Sequence, residues 1–234
     1  MMIPGFDRGG IAMDILEAMQ RRHSVRRYRE DPIPADIKAR LQQEIDACNR
    51  EGGLHLQLVC DEPGAFTGAM ARYGSFSGVQ NYIAVAGKKS PDLSRRAGYY
   101  GERVVLLAQQ LGLNTCWVAL TFSRRRARFA LDEGEKLVIV IALGYGASPG
   151  APHRSKPMAQ LVRCPAPMPD WFRRGAEYAM LAPTAMNQQR FLLDLTAAGT
   201  VRALALPGPY TRLDLGIVRY HFEQAAGAEN FKWV

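Results

Sequence analysis

The chain has 234 residues, 47% of them hydrophobic and 22% charged, with a net charge of +8. That balance excludes a disordered chain, because enough apolar surface exists to offset the ordering entropy. No uncharged apolar run approaches the roughly 18 residues of a membrane span. The basic surplus suits nucleic acid, an acidic membrane surface, or an anionic cofactor served by an anionic reductant.

The first ten residues, MMIPGFDRGG, lack the basic start and continuous apolar core of a signal peptide, so a cytoplasmic protein is expected. Residues 13–20, MDILEAMQ, carry Ile15, Leu16 and Met19 at helical spacing. A polar stretch, RRHSVRRYRED, runs to Pro32. A second helix is expected from Pro34-Ala35-Asp36, with Ile37, Leu41 and Ile45 on one face and Gly52-Gly53 as its stop. Residues 55–60 alternate with period two, the pattern of a half-buried strand. A loop rich in glycine over 64–78 leads to a buried strand over 81–87. Residues 94–111 read as a long helix with a broad apolar face, closed by Gly112, since glycine takes the left-handed conformation cheaply.

KLVIVIALGYG, from Lys136, reads as a central strand, and 144–157 as a loop. In the tail, 170–181 reads as a helix with an acidic cap, 182–189 as turn chemistry, 191–195 and 201–206 as a strand pair, and 214–226 as a last helix. The helix-then-strands order of 34–88 thus recurs in shorter form at 170–206, a similarity of pattern rather than of residues. Strands mixed with helices without strict alternation argue an α+β fold.

Cys48, Cys60, Cys116 and Cys164 are widely spaced, with neither a CxxC pair nor a histidine at ligand spacing. Free thiols and no metal site are expected. The densest basic cluster, SRRRARF from Ser123, reads as a solvated helix start capped by Ser123. It lacks the interleaved aromatics that stack bases, which makes nucleic-acid binding the secondary reading. No GxGxxG stands between a strand and a helix, which argues against a Rossmann nucleotide domain.

Two segments carry the residue types that phosphate recognition needs. Arg22-His23-Ser24-Val25-Arg26-Arg27-Tyr28 offers arginine forks and a hydroxyl at a helix end. Alone, it is more simply read as a basic helix terminus answering the macrodipole. Arg154-Ser155-Lys156, on the loop after the buried strand, places two cations about a hydroxyl, and alone reads as a solvated turn.

Together with their surroundings these segments resemble the FMN-dependent nitroreductase family. The resemblance lies in MDILEAMQ running into RRHSVRRY, in GYYGERVVLLAQQLGLNTCWVAL (98–120), in IALGYG followed by Arg154 and Lys156, and in APTAMNQQRF (182–191). In typical members the last of these follows the second helix and reaches a flavin bound mainly by the other subunit. Here Asn49-Arg50-Glu51-Gly52-Gly53 occupies that place, and the segment comes in the tail. The order resembles that of divergent single-chain members, in which a degenerate second half stands in for the partner subunit.

The resemblance implies a nitroreductase-like domain over 1–234, a mostly antiparallel central sheet flanked by helices, and two pseudo-symmetric halves at about 12–164 and 165–234. It implies that Arg22, His23, Ser24, Arg154 and Lys156 hold the FMN phosphate and ribityl end. Arg26 would lie by the pyrimidine edge, where a fixed cation stabilises the reduced ring. Ser75 would contact the pyrimidine, and Val118 and Ala119 would run behind the ring with a backbone N–H facing N5. Pro183, Thr184, Ala185 and Asn187 would cover the dimethylbenzene side. Ala119 and Leu120 depart from the acidic residue and glycine often found there, and Arg190 stands where proline is usual.

The implied activity is ping-pong transfer of a hydride from NAD(P)H through the flavin to a nitroaromatic, a quinone or a similar small acceptor, with no catalytic side chain. The alternatives are an FMN-binding sensor or carrier without turnover and, more remotely, a basic nucleic-acid-binding protein. A monomer or a weak homodimer is expected, with neither nucleic acid nor membrane as a partner.

Overall fold

The computed structural model describes residues 13–197 and 199–234. Helix α1 (Ile15–Arg21) starts at Asp14, whose carboxylate accepts the Glu17 N–H at 2.8 Å. It ends at Arg22, where the backbone turns extended. Residues 24–28 then run as an isolated ribbon, bridging Ser24 to Thr115, Arg27 to Ser77 and Tyr28 to Gly146. Helix α2 (Ala35–Gly52) buries Leu41, Ile45 and Cys48 and stops at Gly53, which is left-handed at φ 56°.

Strands β1 (His55–Val59) and β2 (Asn81–Lys88) pair antiparallel. Between them, where sequence suggests only a loop, lie a 3-10 turn (Pro63–Phe66) and the short helix α3 (Ala69–Tyr73). Helix α4 (Leu93–Gln110) follows, ending before Gly112 at φ 80°. Strand β3 (Asn114–Val118) is too short for its pattern to declare itself. It pairs with β4 (Glu135–Gly144), completing an antiparallel sheet of order β1-β2-β4-β3. The basic cluster after Ser123 is a single turn rather than a helix start; the Ser123 carbonyl accepts from Arg126 and Ala127, and no helix continues.

The tail holds β5 (Val162–Arg163), α5 (Asp170–Ala179), β6 (Phe191–Ala197), β7 (Thr200–Ala205), α6 (Thr211–Ala226) and β8 (Lys232–Trp233). Asp170 lies in the first turn of α5 and is not its cap, which is Pro169. The second sheet has the order β5-β6-β7-β8, antiparallel at its centre and parallel at both edges. The α+β expectation holds, and the strands divide into two four-stranded sheets. No described helix is long and apolar enough to cross a membrane.

One buried cluster runs from Ile33 and Leu41 through Val104 and Ile141 to Phe172, Ile217 and Phe222, so both parts of the chain share a core. At its centre α4 crosses α6. A Cβ added at Gly98 would overlap the Leu213 carbonyl oxygen, and one added at Gly216 would overlap that of Arg95. Gly98 and Gly216 stand 118 positions apart, and so do Arg95 and Leu213. Residue i touches j and the counterpart of j touches the counterpart of i, the reciprocity of a two-fold contact. The units α2-β1-β2-α4 and α5-β6-β7-α6 each run helix, antiparallel pair, helix, and meet through this crossing.

Candidate cofactor-binding site

Three stretches distant in sequence converge beside the end of α1. The His23 ring nitrogen Nδ1 lies 3.1 Å from the Pro149 carbonyl, and Gly150 packs so closely on His23 and Ser24 that a Cβ would sit 2.9 Å from that of His23. The loop then reaches the tail segment. The Arg154 carbonyl accepts from the side-chain amides of Asn187 and Gln189, both at 2.9 Å. The Lys156 N–H donates to Gln189 Oε1 at 2.8 Å, and its ammonium donates to the Gln188 carbonyl at 2.7 Å. Residues 22–24, 149–156 and 187–189 are thereby tied into one wall.

The tail segment is held in an uncommon conformation. Met186, Asn187 and Gln189 all have positive φ, between 46° and 53°. Such residues cost free energy and persist only where their surroundings over-determine them. Here Asp214 on α6 accepts from the Ala185 N–H and from Gln188, while Thr184 Oγ1 accepts from the Gln189 N–H. Burial pushes the Asp214 carboxyl up to about 6, against these donors. Met186 is left 84% exposed on the outer side of the turn.

Beneath the wall lies a buried polar cluster. Arg22 is 4% exposed, and its Nε sits 3.8 Å from Glu102 Oε1, beyond hydrogen-bond reach. Glu102, wholly buried on α4, accepts from Trp117 Nε1 at 3.0 Å and lies 2.9 Å from His221 Nε2. His221, also wholly buried, turns its Nδ1 to the Tyr178 carbonyl at 3.0 Å. Burial presses Arg22 below its ordinary range, more than the charge of Glu102 offsets. Burial also lowers His153, helped by the nearby Arg22 charge. Three buried side-chain nitrogens have no hydrogen-bond partner among the described residues, and two of them, Arg22 Nε and His153 Nε2, belong to this corner, the third being Arg96 Nε on α4.

The remaining expected residues lie along the 24–28 ribbon and β3, leading away from this corner. Ser24 bridges to Thr115, and Arg26, exposed, accepts through its carbonyl from the Ser77 N–H. The charge of Arg26 reaches Tyr28 and Cys116, both of which burial holds above their usual range. Ser75 is exposed, at φ 61°, two residues from that contact. Val118 is buried opposite Val140, and Ala119 and Leu120 border a cavity of about 240 Å³ with Phe122 and Arg124. A cavity of about 400 Å³ lies elsewhere, between the N-terminal ends of α4 and α6. Lys156, expected as a phosphate ligand, instead spends its ammonium on backbone carbonyls. Glu102, His153, Asp214 and His221 escape sequence reading, because their importance arises only where separate segments meet.

The family described as "Putative TM nitroreductase" matches residues 14–226. The chain belongs to this family. No curated protein matches it. Among solved structures it resembles a "putative nitroreductase" from Thermotoga maritima MSB8, 21% identical over 93% of this chain and 87% of that one, with a TM-score of 0.67. It also resembles a "putative nitroreductase in complex with FMN" from Desulfovibrio desulfuricans, 22% identical, with a TM-score of 0.50. That match covers 98% of the relative and 65% of this chain, so one complete relative corresponds to about two thirds of the present length. At these identities the likeness is one of fold.

Proposed function

We propose that the chain binds one FMN in the corner between Arg22, the 149–156 loop and the tail segment, and acts as an NAD(P)H-dependent oxidoreductase on a quinone, nitroaromatic or similar acceptor. The observation that carries this reading is Arg22 Nε, a buried donor with no hydrogen-bond partner among the described residues. Buried donors are rarely left unsatisfied, since each costs about 1–3 kcal/mol. A terminal phosphate, with its anionic acceptor oxygens, suits the Arg22 guanidinium. The bound flavin would supply hydride acceptance and onward electron transfer.

In this reading Arg22, Ser24 and Arg154 hold the phosphate with His23 and His153 beside it, while Lys156 lends its charge and anchors the covering segment. Arg26 faces the pyrimidine edge, with Ser75 near it, and Val118 and Ala119 support the ring from the end of β3. Pro183, Thr184, Ala185 and Asn187 cover the other side. Because the covering segment belongs to the same chain and is tied to Arg154, one chain builds the enclosure, as two halves packed like a dimer.

The test is to add FMN to the purified protein and follow NADH and NADPH oxidation at 340 nm with a quinone or nitrofuran present. Flavin-dependent oxidation that rises with acceptor supports the proposal. Flavin binding without oxidation of either nucleotide makes the chain a flavin carrier, and no binding at micromolar FMN refutes the reading.

A further inference from the structure

Glu102 and His221 form a buried pair whose proton count follows from their partners. His221 Nδ1 faces the Tyr178 carbonyl, which only accepts, so Nδ1 carries a hydrogen. Its Nε2 faces Glu102 Oε1 at 2.9 Å, and Glu102 Oε2 already accepts from Trp117. One further proton must therefore lie between Nε2 and Oε1. Whether it resides on the ring or on the carboxyl, the pair together is neutral.

The third member is Arg22, whose Nε lies 3.8 Å from the same Glu102 oxygen and forms no hydrogen bond to it. A carboxylate serving to neutralise a buried arginine would take its fork in short, charge-assisted bonds. Glu102 spends its acceptors on His221 and Trp117 instead. The Cys116 thiol, the other group whose negative charge would offset Arg22, is held toward its neutral form by burial, and the neighbouring basic groups do not take Glu102 in place of His221. Arg103, next on α4, turns away to Glu44 and Glu51. His153, from the loop, is held toward its neutral form by burial and by Arg22 itself.

Resting on the FMN reading above, we propose that His221 neutralises Glu102 through a shared proton, leaving the charge of Arg22 free for the terminal phosphate and making FMN preferred over riboflavin. His221 is then a positioning and charge-setting residue, supplied to the site by α6. Without it, Glu102 would be an unpaired buried carboxylate with Arg22 as its nearest cation. Arg22 would be drawn to Glu102 and its charge consumed there.

The test is titration of the full-length protein with FMN and, separately, riboflavin, read by quenching of flavin fluorescence. His221→Gln is expected to weaken FMN by about tenfold or more, the scale of one charge in a buried site, with riboflavin within about twofold. Glu102→Gln, and the double variant with His221→Gln, contain no carboxylate to claim Arg22. Both are expected to keep the FMN-to-riboflavin ratio within about threefold of the wild type, the spread of context effects. Equal weakening of both flavins in His221→Gln, or loss of the ratio in Glu102→Gln, overturns the inference. Should His221→Gln fail to fold, Glu102→Gln still decides. A wild type that binds no FMN overturns the proposed function with it, whereas FMN binding indifferent to His221 overturns this inference alone.

Discussion

The two helix–pair–helix units differ most where they are most alike. Arg96 on α4 and Asp214 on α6 stand 118 positions apart, as do the glycines of the crossing, and each reaches back to the loop that follows its unit's first helix. Arg96 donates to the carbonyls of Gly52 and Gly53, placing a cation at the C-terminal end of α2, where the helix dipole favours it. The chain there turns at once into β1. Asp214 instead accepts from Ala185 and Gln188 and supports a longer segment with three left-handed residues, which crosses to Arg154. One corner is closed tightly on its own helix, and the related corner is opened toward the basic loop. A single charge reversal on a shared scaffold accompanies the difference between a sealed turn and a candidate binding wall.

The largest expected effect tests the scaffold. Gly98→Ala and Gly216→Ala each force a methyl against a backbone carbonyl that no rotamer can move. Each should destabilise by about 3 kcal/mol, the upper range for overpacking, in chemical unfolding. Similar losses at both sites support a reciprocal crossing, and a large loss at only one would break the comparison.

Next comes Asp214. Its carboxyl is held up at about 6 in the folded protein, against an ordinary value of 3.8, so the folded state binds the proton more tightly than the unfolded one. Stability contributed by this group is present below pH 4 and is lost as pH rises toward 6. A carboxyl held at about 6 instead of 3.8 sets an upper bound of about 3 kcal/mol. Asp214→Asn should flatten that part of the stability profile, whereas an unchanged slope between pH 4 and 6 would contradict the burial argument.

Smaller still is the phosphate contact. Arg22→Ala should weaken FMN binding by about 1.5–3 kcal/mol, the range of hydrogen bonds to a charged group. Arg125→Ala, in the exposed turn after Ser123, should change it by less than about 0.5 kcal/mol. Equal losses would mean that the net charge of +8, and not a defined corner, attracts the flavin.

Most helices and long strands were legible because their apolar positions repeat at the period of the element. Leu41 and Ile45 on α2 and the run in β4 are buried as their spacing predicts. Strand β3 was not legible, since Asn114–Val118 is five residues of mixed character that pair only because β4 lies alongside. Nor was the acidic-cap reading of Asp170 sound, because an aspartate in the first turn favours the helix dipole without being the cap. In the candidate site the two basic segments could be picked out by residue type, and the tail segment by resemblance. What joins them could not. Lys156 reads as a phosphate ligand until Gln188 and Gln189 are seen to accept its protons. Glu102 reads as an ordinary helix residue until His221, 119 positions away, closes on it.

The central claim, that the two halves of one chain enclose one flavin, is tested most directly by flavin stoichiometry. Purified protein of known concentration is titrated with FMN, and its mass in solution is measured with and without flavin. The account predicts one FMN per 234-residue chain, bound by the monomer at least as well as by any larger assembly. Saturation at one FMN per two chains, or binding that appears only as chains associate, would contradict it.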